Sequence, residues 1–135
     1  MAEDPRTTPD TSRDDAAGPG DEARRVGVVD LGTNSTRLLV AEVHDGGVAE
    51  LERRTTVTRL GEGVEATGRL SDAAVARVCE ALAVYREVLD RLGADEVVAV
   101  ATSAMRDAEN GPAFRDEIRD RFRIDARTIS GDEEA

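Results

Sequence analysis

Apolar positions along the chain follow two rhythms, and each predicts a different kind of element. Val26 to Val43 reads VGVVDLGTNSTRLLVAEV, two apolar runs around a short polar turn, Asp30-Leu31-Gly32-Thr33-Asn34-Ser35. Both runs are rich in β-branched residues, which predicts strands over Arg25–Asp30 and Thr36–Val43 joined by a tight hairpin end. Asp45-Gly46-Gly47 signals a second hairpin and a third strand near Val48–Leu60. Its Val48, Leu51 and Val57 are mixed with many charges, which suits a sheet edge. From Ser71 the rhythm lengthens: Val75, Val78, Cys79, Leu82, Tyr85, Leu89 and Leu92 recur three and four residues apart. That spacing predicts a helix over Ser71–Leu92, with Ser71 as N-cap, Asp72 complementing the dipole and Gly93 as the stop.

The continuous run DEVVAVA, Asp95–Ala101, predicts a strand covered on both faces, and the helix before it favours parallel pairing. Asn110-Gly111-Pro112 opens a second helix with Phe114, Ile118 and Phe122 as its apolar stripe, and Ile124–Ile129 reads as the last strand. Between them, GEGVEATGRL, Gly61–Leu70, reads as a glycine-rich connector in which no helix begins. Residues 1–24 read as a disordered acidic tail, because Met1–Asp21 contains no Val, Ile, Leu or aromatic residue that could offset the entropy of ordering. Residues 25–135 then hold one α/β domain.

Composition narrows the chemistry. A formal net charge of −11 argues against nucleic acid or an anionic membrane as partner. No apolar run is long enough for a membrane span and no signal core opens the chain, so a cytoplasmic protein is expected. All 18 basic residues are arginine, which excludes a P-loop lysine and a Schiff-base lysine within these residues. The single Cys79 cannot form an internal disulfide, and the single His44 cannot make a two-histidine metal site. Cys79 is expected to be a small buried apolar residue and His44 an exposed turn residue. What is left is phosphoryl chemistry run by carboxylate and magnesium.

The turn at residues 30–35 carries the group types such chemistry needs. Gly32 lets backbone N–H groups approach an anion, while Thr33, Asn34 and Ser35 add side-chain donors. An acid beside phosphate donors requires a cation between them, so Asp30 is the candidate Mg²⁺ partner. Hairpin turns also recruit these residues for conformational reasons alone. A second candidate surface is Thr102-Ser103-Ala104-Met105-Arg106-Asp107, at the carboxyl end of the predicted strand. Arg106 offers a planar fork of donors to a phosphate oxygen, although spacing by itself favours an exposed arginine paired with Asp107 or Glu109. By the same standard Asp132, Glu133 and Glu134 read as a solvated acidic run.

A resemblance joins these pieces. DLGTNSTRLLVAEV looks like the first phosphate loop of the actin, Hsp70 and sugar-kinase superfamily. Together with TRLGEGVEATGRL, VVAVATSAMRDAENG and ISGDEEA, in that order, it is similar to the N-terminal domain of the exopolyphosphatase and guanosine pentaphosphate phosphohydrolase family, over Arg25 to the end. The resemblance implies an α/β, ribonuclease-H-like, actin-type N-terminal lobe of order βββαβαβ. It places Asp30, Gly32, Thr33, Asn34 and Ser35 on the first phosphate loop, Arg106 against the polyphosphate chain, and Glu134 as the general base, with Glu133 beside it. It also implies Mg²⁺ as cofactor and polyphosphate or guanosine pentaphosphate as substrate. The family continues into a second phosphate loop and a second lobe, so the chain is expected to be truncated, inactive alone and completed by the missing C-terminal lobe. A homodimer is also compatible, and neither nucleic acid nor membrane is an expected partner. Two alternatives stay open: a non-catalytic phosphate- or alarmone-binding lobe, and a sugar-kinase-like lobe, against which the ISGDEEA ending speaks.

Overall fold

A computed structural model describes residues 23–128. Two hairpins lead the chain: β1 (Arg24–Leu31), β2 (Ser35–His44) and β3 (Gly47–Val57). After them come α1 (Val64–Thr67), α2 (Asp72–Arg91), β4 (Glu96–Ala101), α3 (Ser103–Asp107), α4 (Gly111–Phe122) and β5 (Ala126–Thr128). The strands form one sheet in the order β3-β2-β1-β4-β5. The β1–β2 and β2–β3 pairs are antiparallel, while β4 runs parallel to both β1 and β5. The expected edge position of β3 is therefore observed, and a register shift opposite Val40 and Ala41 breaks its ladder with β2.

Helix α2 forms where the three-and-four spacing placed it. Ser71 caps it by accepting from the Ala74 amide at 3.1 Å, and Gly93, at φ +66°, turns the chain out of it. Val78, Leu82, Tyr85 and Leu89 are fully or almost fully buried against Val29, Leu31, Leu38 and Val40 of the sheet. The helix can sit this close because residue 27 is glycine: a Cβ there would fall 2.2 Å from Leu89 Cδ2. Phe114, Ile118 and Phe122 of α4 complete the same core. His44 lies exposed at the β2–β3 turn, where its Nδ1 accepts from the Gly46 amide. Cys79 is half-buried at the α2–α4 seam. Burial pushes its thiol up, partly offset by the Arg121 guanidinium 3.5 Å from Sγ.

Four expectations need correction. Arg24, assigned to the tail, pairs with Val43 as the first residue of β1. The connector Gly61–Leu70 does contain a helix: α1 is a single turn bracketed by Gly63 and Gly68, whose φ values of +81° and +75° a residue with a Cβ adopts only with strain. The turn 102–107 likewise winds into α3. Finally, β4 is not covered on both faces, since Val98 is 40% exposed. The apolar run reads as doubly covered, yet the described helices α2 and α4 pack on one face of the sheet only. Ile129 and the tail residues 1–22 lie outside the described residues.

Candidate functional site

Parallel pairing brings three strand ends to one place. Leu31 of β1 is opposite Ala101 of β4, and Ala101 is opposite Thr128 of β5. Loops leaving these ends share one edge of the sheet, where ligand contacts concentrate in open α/β folds.

At that edge Gly32, Thr33 and Asn34 connect β1 to β2, closed by a 3.0 Å bond from the Gly32 amide to the Ser35 carbonyl. A Cβ on Gly32 would come 2.8 Å from that carbonyl oxygen, so the turn needs glycine here. The backbone of the turn is asymmetric in its partners. The Asn34 carbonyl accepts from both Thr58 and Arg59, at 3.1 and 2.9 Å, and the Thr33 carbonyl accepts from Gly61 at 3.0 Å. The amides of Thr33 and Asn34 have no hydrogen-bond partner among the described residues, and both residues are exposed. Carbonyls tied down and amides facing out is the polarity of an anion-binding turn.

Behind the turn, Thr36 and Thr58 share a fully buried hydroxyl contact of 2.8 Å. Tyr85 braces it from α2, donating to the Thr36 carbonyl at 2.8 Å and meeting Thr56 Oγ1 at 2.7 Å. Asp30 sits one residue before the end of β1. Its Oδ1 is buried and has no hydrogen-bond partner among the described residues, an arrangement that costs free energy unless something else satisfies it. No cluster of three or more His, Cys, Asp or Glu able to hold a metal occurs among the described residues. Among the described residues, Asp30 would be the carboxylate that holds a cation here, and Mg²⁺ readily takes water and substrate oxygens as further ligands.

An open cavity of about 450 Å³ lies beside the turn, lined by Thr33, Gly61, Val64, Glu65, Gly68, Ser103, Ala104 and Asp107. The stretch read as a plain connector thus forms one wall, and α3 forms the other. Ser103, which sequence reasoning did not single out, has its Oγ 3.3 Å from Thr33 Oγ1. Its position directly after an apolar strand was the signal available. Arg106 faces a different and smaller pocket of about 100 Å³, with Met105, Gly111, Pro112, Arg115 and Thr128. Its Nε bonds Asp107 at 3.2 Å, the pairing that spacing favoured. Arg106 and the turn thus line different pockets, with Arg106 in the one that Thr128 of β5 also lines. Glu133 and Glu134 lie outside the described residues.

The Ppx/GppA phosphatase family matches residues 39–135. This chain belongs to that family. The match begins inside β2, so the turn at residues 30–35 precedes it, whereas Arg106 and Glu134 fall within it. Among curated Ppx/GppA relatives, exopolyphosphatase 2 of Mycobacterium tuberculosis is 46% identical over 94 residues, covering 67% of this chain and 30% of the relative. The guanosine-5'-triphosphate,3'-diphosphate pyrophosphatase of Pseudoalteromonas translucida is 32% identical over 108 residues, covering 80% of this chain and 22% of the relative. A crystal structure of the Aquifex aeolicus Ppx/GppA family member superposes with a TM-score of 0.80 at 30% identity, over 84% of this chain and 37% of that one. The fold is accordingly the ribonuclease-H-like, actin-type lobe, and the chain spans about a third or less of the length of these relatives. Among the described residues no helix is long and apolar enough to cross a membrane.

Proposed function

We propose that this chain is the phosphate-binding lobe of a cytoplasmic, Mg²⁺-dependent hydrolase that removes the terminal phosphate from polyphosphate or guanosine pentaphosphate. The observation that carries the reading is the turn at residues 32–34, where the carbonyls of Thr33 and Asn34 are held by the following segment while the amides of the same two residues have no partner among the described residues, next to the buried Asp30 Oδ1. In this reading the amides of Thr33 and Asn34 and the hydroxyls of Thr33 and Ser35 hold phosphate oxygens. Asp30 holds the metal, which when bound neutralises charge on the phosphates. Arg106 contributes its guanidinium to the same chain of phosphates from the pocket that Thr128 also lines. Glu134, six residues beyond Thr128, accepts the proton of the attacking water as the water oxygen bonds to the terminal phosphorus and the anhydride oxygen departs with the shortened chain. Position and charge neutralisation do most of this work, since the transferred group needs little covalent help.

Two assays test it. Calorimetry of the chain with tripolyphosphate should show binding that needs Mg²⁺ and weakens at least about tenfold in Asp30→Asn. Equal affinity in the variant would overturn the metal assignment. Phosphate release from long-chain polyphosphate by a protein that carries both lobes should vanish in Glu134→Gln while binding persists; an unchanged release rate would remove Glu134 as base. A second reading is a lobe that binds phosphate without turnover. Binding of tripolyphosphate with no phosphate release would support it.

A further inference from the structure

The cavity beside the turn has two walls, tied together at one end by Glu109 and Asn110. The first wall is α3, with Ser103, Ala104 and Asp107. The second is the segment Thr58–Leu70, which contributes Gly61, Val64, Glu65 and Gly68. One end of that segment is fixed on the turn through the amides of Thr58, Arg59 and Gly61. Its middle is held lightly: α1 has no buried residue and 65–69 are all exposed, while Val64 rests partly on the core and Glu62 pairs with Arg77 at 2.7 Å. Its far end is held by Asn110. The Leu70 amide donates to Asn110 Oδ1 at 2.8 Å, and Asn110 Nδ2 donates back to the Leu70 carbonyl at 3.1 Å. Next to it the Glu109 amide donates to the Gly68 carbonyl at 2.8 Å, and Arg69 pairs with Glu109 at 3.0 Å.

This use of Asn110 runs against its position. It is the N-cap residue of α4, where an asparagine ordinarily accepts from the helix's own first-turn amides, and here it makes no such bond. Both polar atoms of its amide are spent on Leu70 instead. Asn110 is also rigidly placed with respect to α3, because Gly111 packs so tightly that a Cβ on it would lie 1.9 Å from the Met105 carbonyl oxygen. The side chain therefore transmits the position of α3 to the opposite wall.

We infer that Asn110 is a positioning residue that sets the separation of the two cavity walls, and thereby the fit of an oligophosphate bound at the turn. The inference rests on the phosphate-binding reading of that cavity. It is tested on the full chain with Asn110→Ala and with Asn110→Asp, which remains a good N-cap and keeps the acceptor for Leu70 while losing the donor. The probe is tripolyphosphate with Mg²⁺ in calorimetry, alongside amide hydrogen exchange. Asn110→Ala should speed exchange at Leu70 and Glu109 while the Thr58 and Gly61 amides keep their protection, and should weaken binding about tenfold. Asn110→Asp should fall between this variant and the wild type in both measurements. Unchanged exchange at Leu70 would overturn the clamp. Faster exchange with wild-type affinity in both variants would reduce Asn110 to a structural contact and overturn its positioning role. Asp30→Asn is the separating control: it should lose binding yet leave Leu70 protected. A wild-type chain that binds no tripolyphosphate, with Leu70 protected, would overturn the phosphate reading and this inference with it.

Discussion

The two faces of the sheet are built from similar residues and meet opposite fates. On one face Val29, Leu31, Leu38, Val40, Ala99 and Ala101 are buried under α2 and α4. On the other, Val28 and Val98 are directly paired neighbours, 36% and 40% exposed. Valine is equally β-branched and equally apolar in both places, so strand propensity does not separate them. What separates them is cover, and the described helices supply it to one side. The contrast shows that the stability of this lobe resides in a single layer of helix on sheet, and that the open side tolerates a loss of apolarity the closed side does not.

That contrast can be broken or sharpened by substitution. The largest effect is expected at the centre of the covered face. Leu82→Ala removes a fully buried side chain of α2 and should lower unfolding free energy by about 2–5 kcal/mol in urea denaturation. A smaller loss is expected at the polar end of the same helix. Tyr85→Phe deletes the hydroxyl that bridges the Thr36 carbonyl and Thr56 Oγ1, for about 0.5–1.5 kcal/mol by the same measurement. The smallest is expected across the sheet: Val98→Thr should change stability by less than about 0.5 kcal/mol. A loss at Val98 as large as that at Leu82 would mean that the open face is packed in solution, and the contrast between the faces would fall.

Much of the architecture is legible from spacing. The helix over Ser71–Leu92, both hairpins, the edge position of β3 and the parallel pairing of β4 all follow from local pattern, because each depends on residues within one or two turns of chain or on the order of elements. The same is true of Gly32, which the turn requires for its closure on Ser35. Legibility fails where a residue has two compatible uses. Asn110 reads as a helix opener, and it is one by position, but its amide is turned to a segment 40 residues earlier. Ser103 reads as part of a polar turn until the fold brings it to Thr33, 70 residues away. The glycines of Gly61–Leu70 read as a connector, since glycine spacing reports the backbone shape a segment can take and not what lies across from it.

By itself, then, the sequence determined the five strands and the two long helices in their order, the capping of α2 and the residue types available for anion chemistry, because periodicity, capping and turn formation act over a few neighbouring positions. Tertiary structure alone decided which side of the sheet is covered, that the carbonyls of Thr33 and Asn34 are bonded while their amides have no partner among the described residues, and that Arg106 and Thr33 line different pockets. Those are outcomes of contacts between segments far apart in the chain, and a partner at such a distance leaves no local pattern to read.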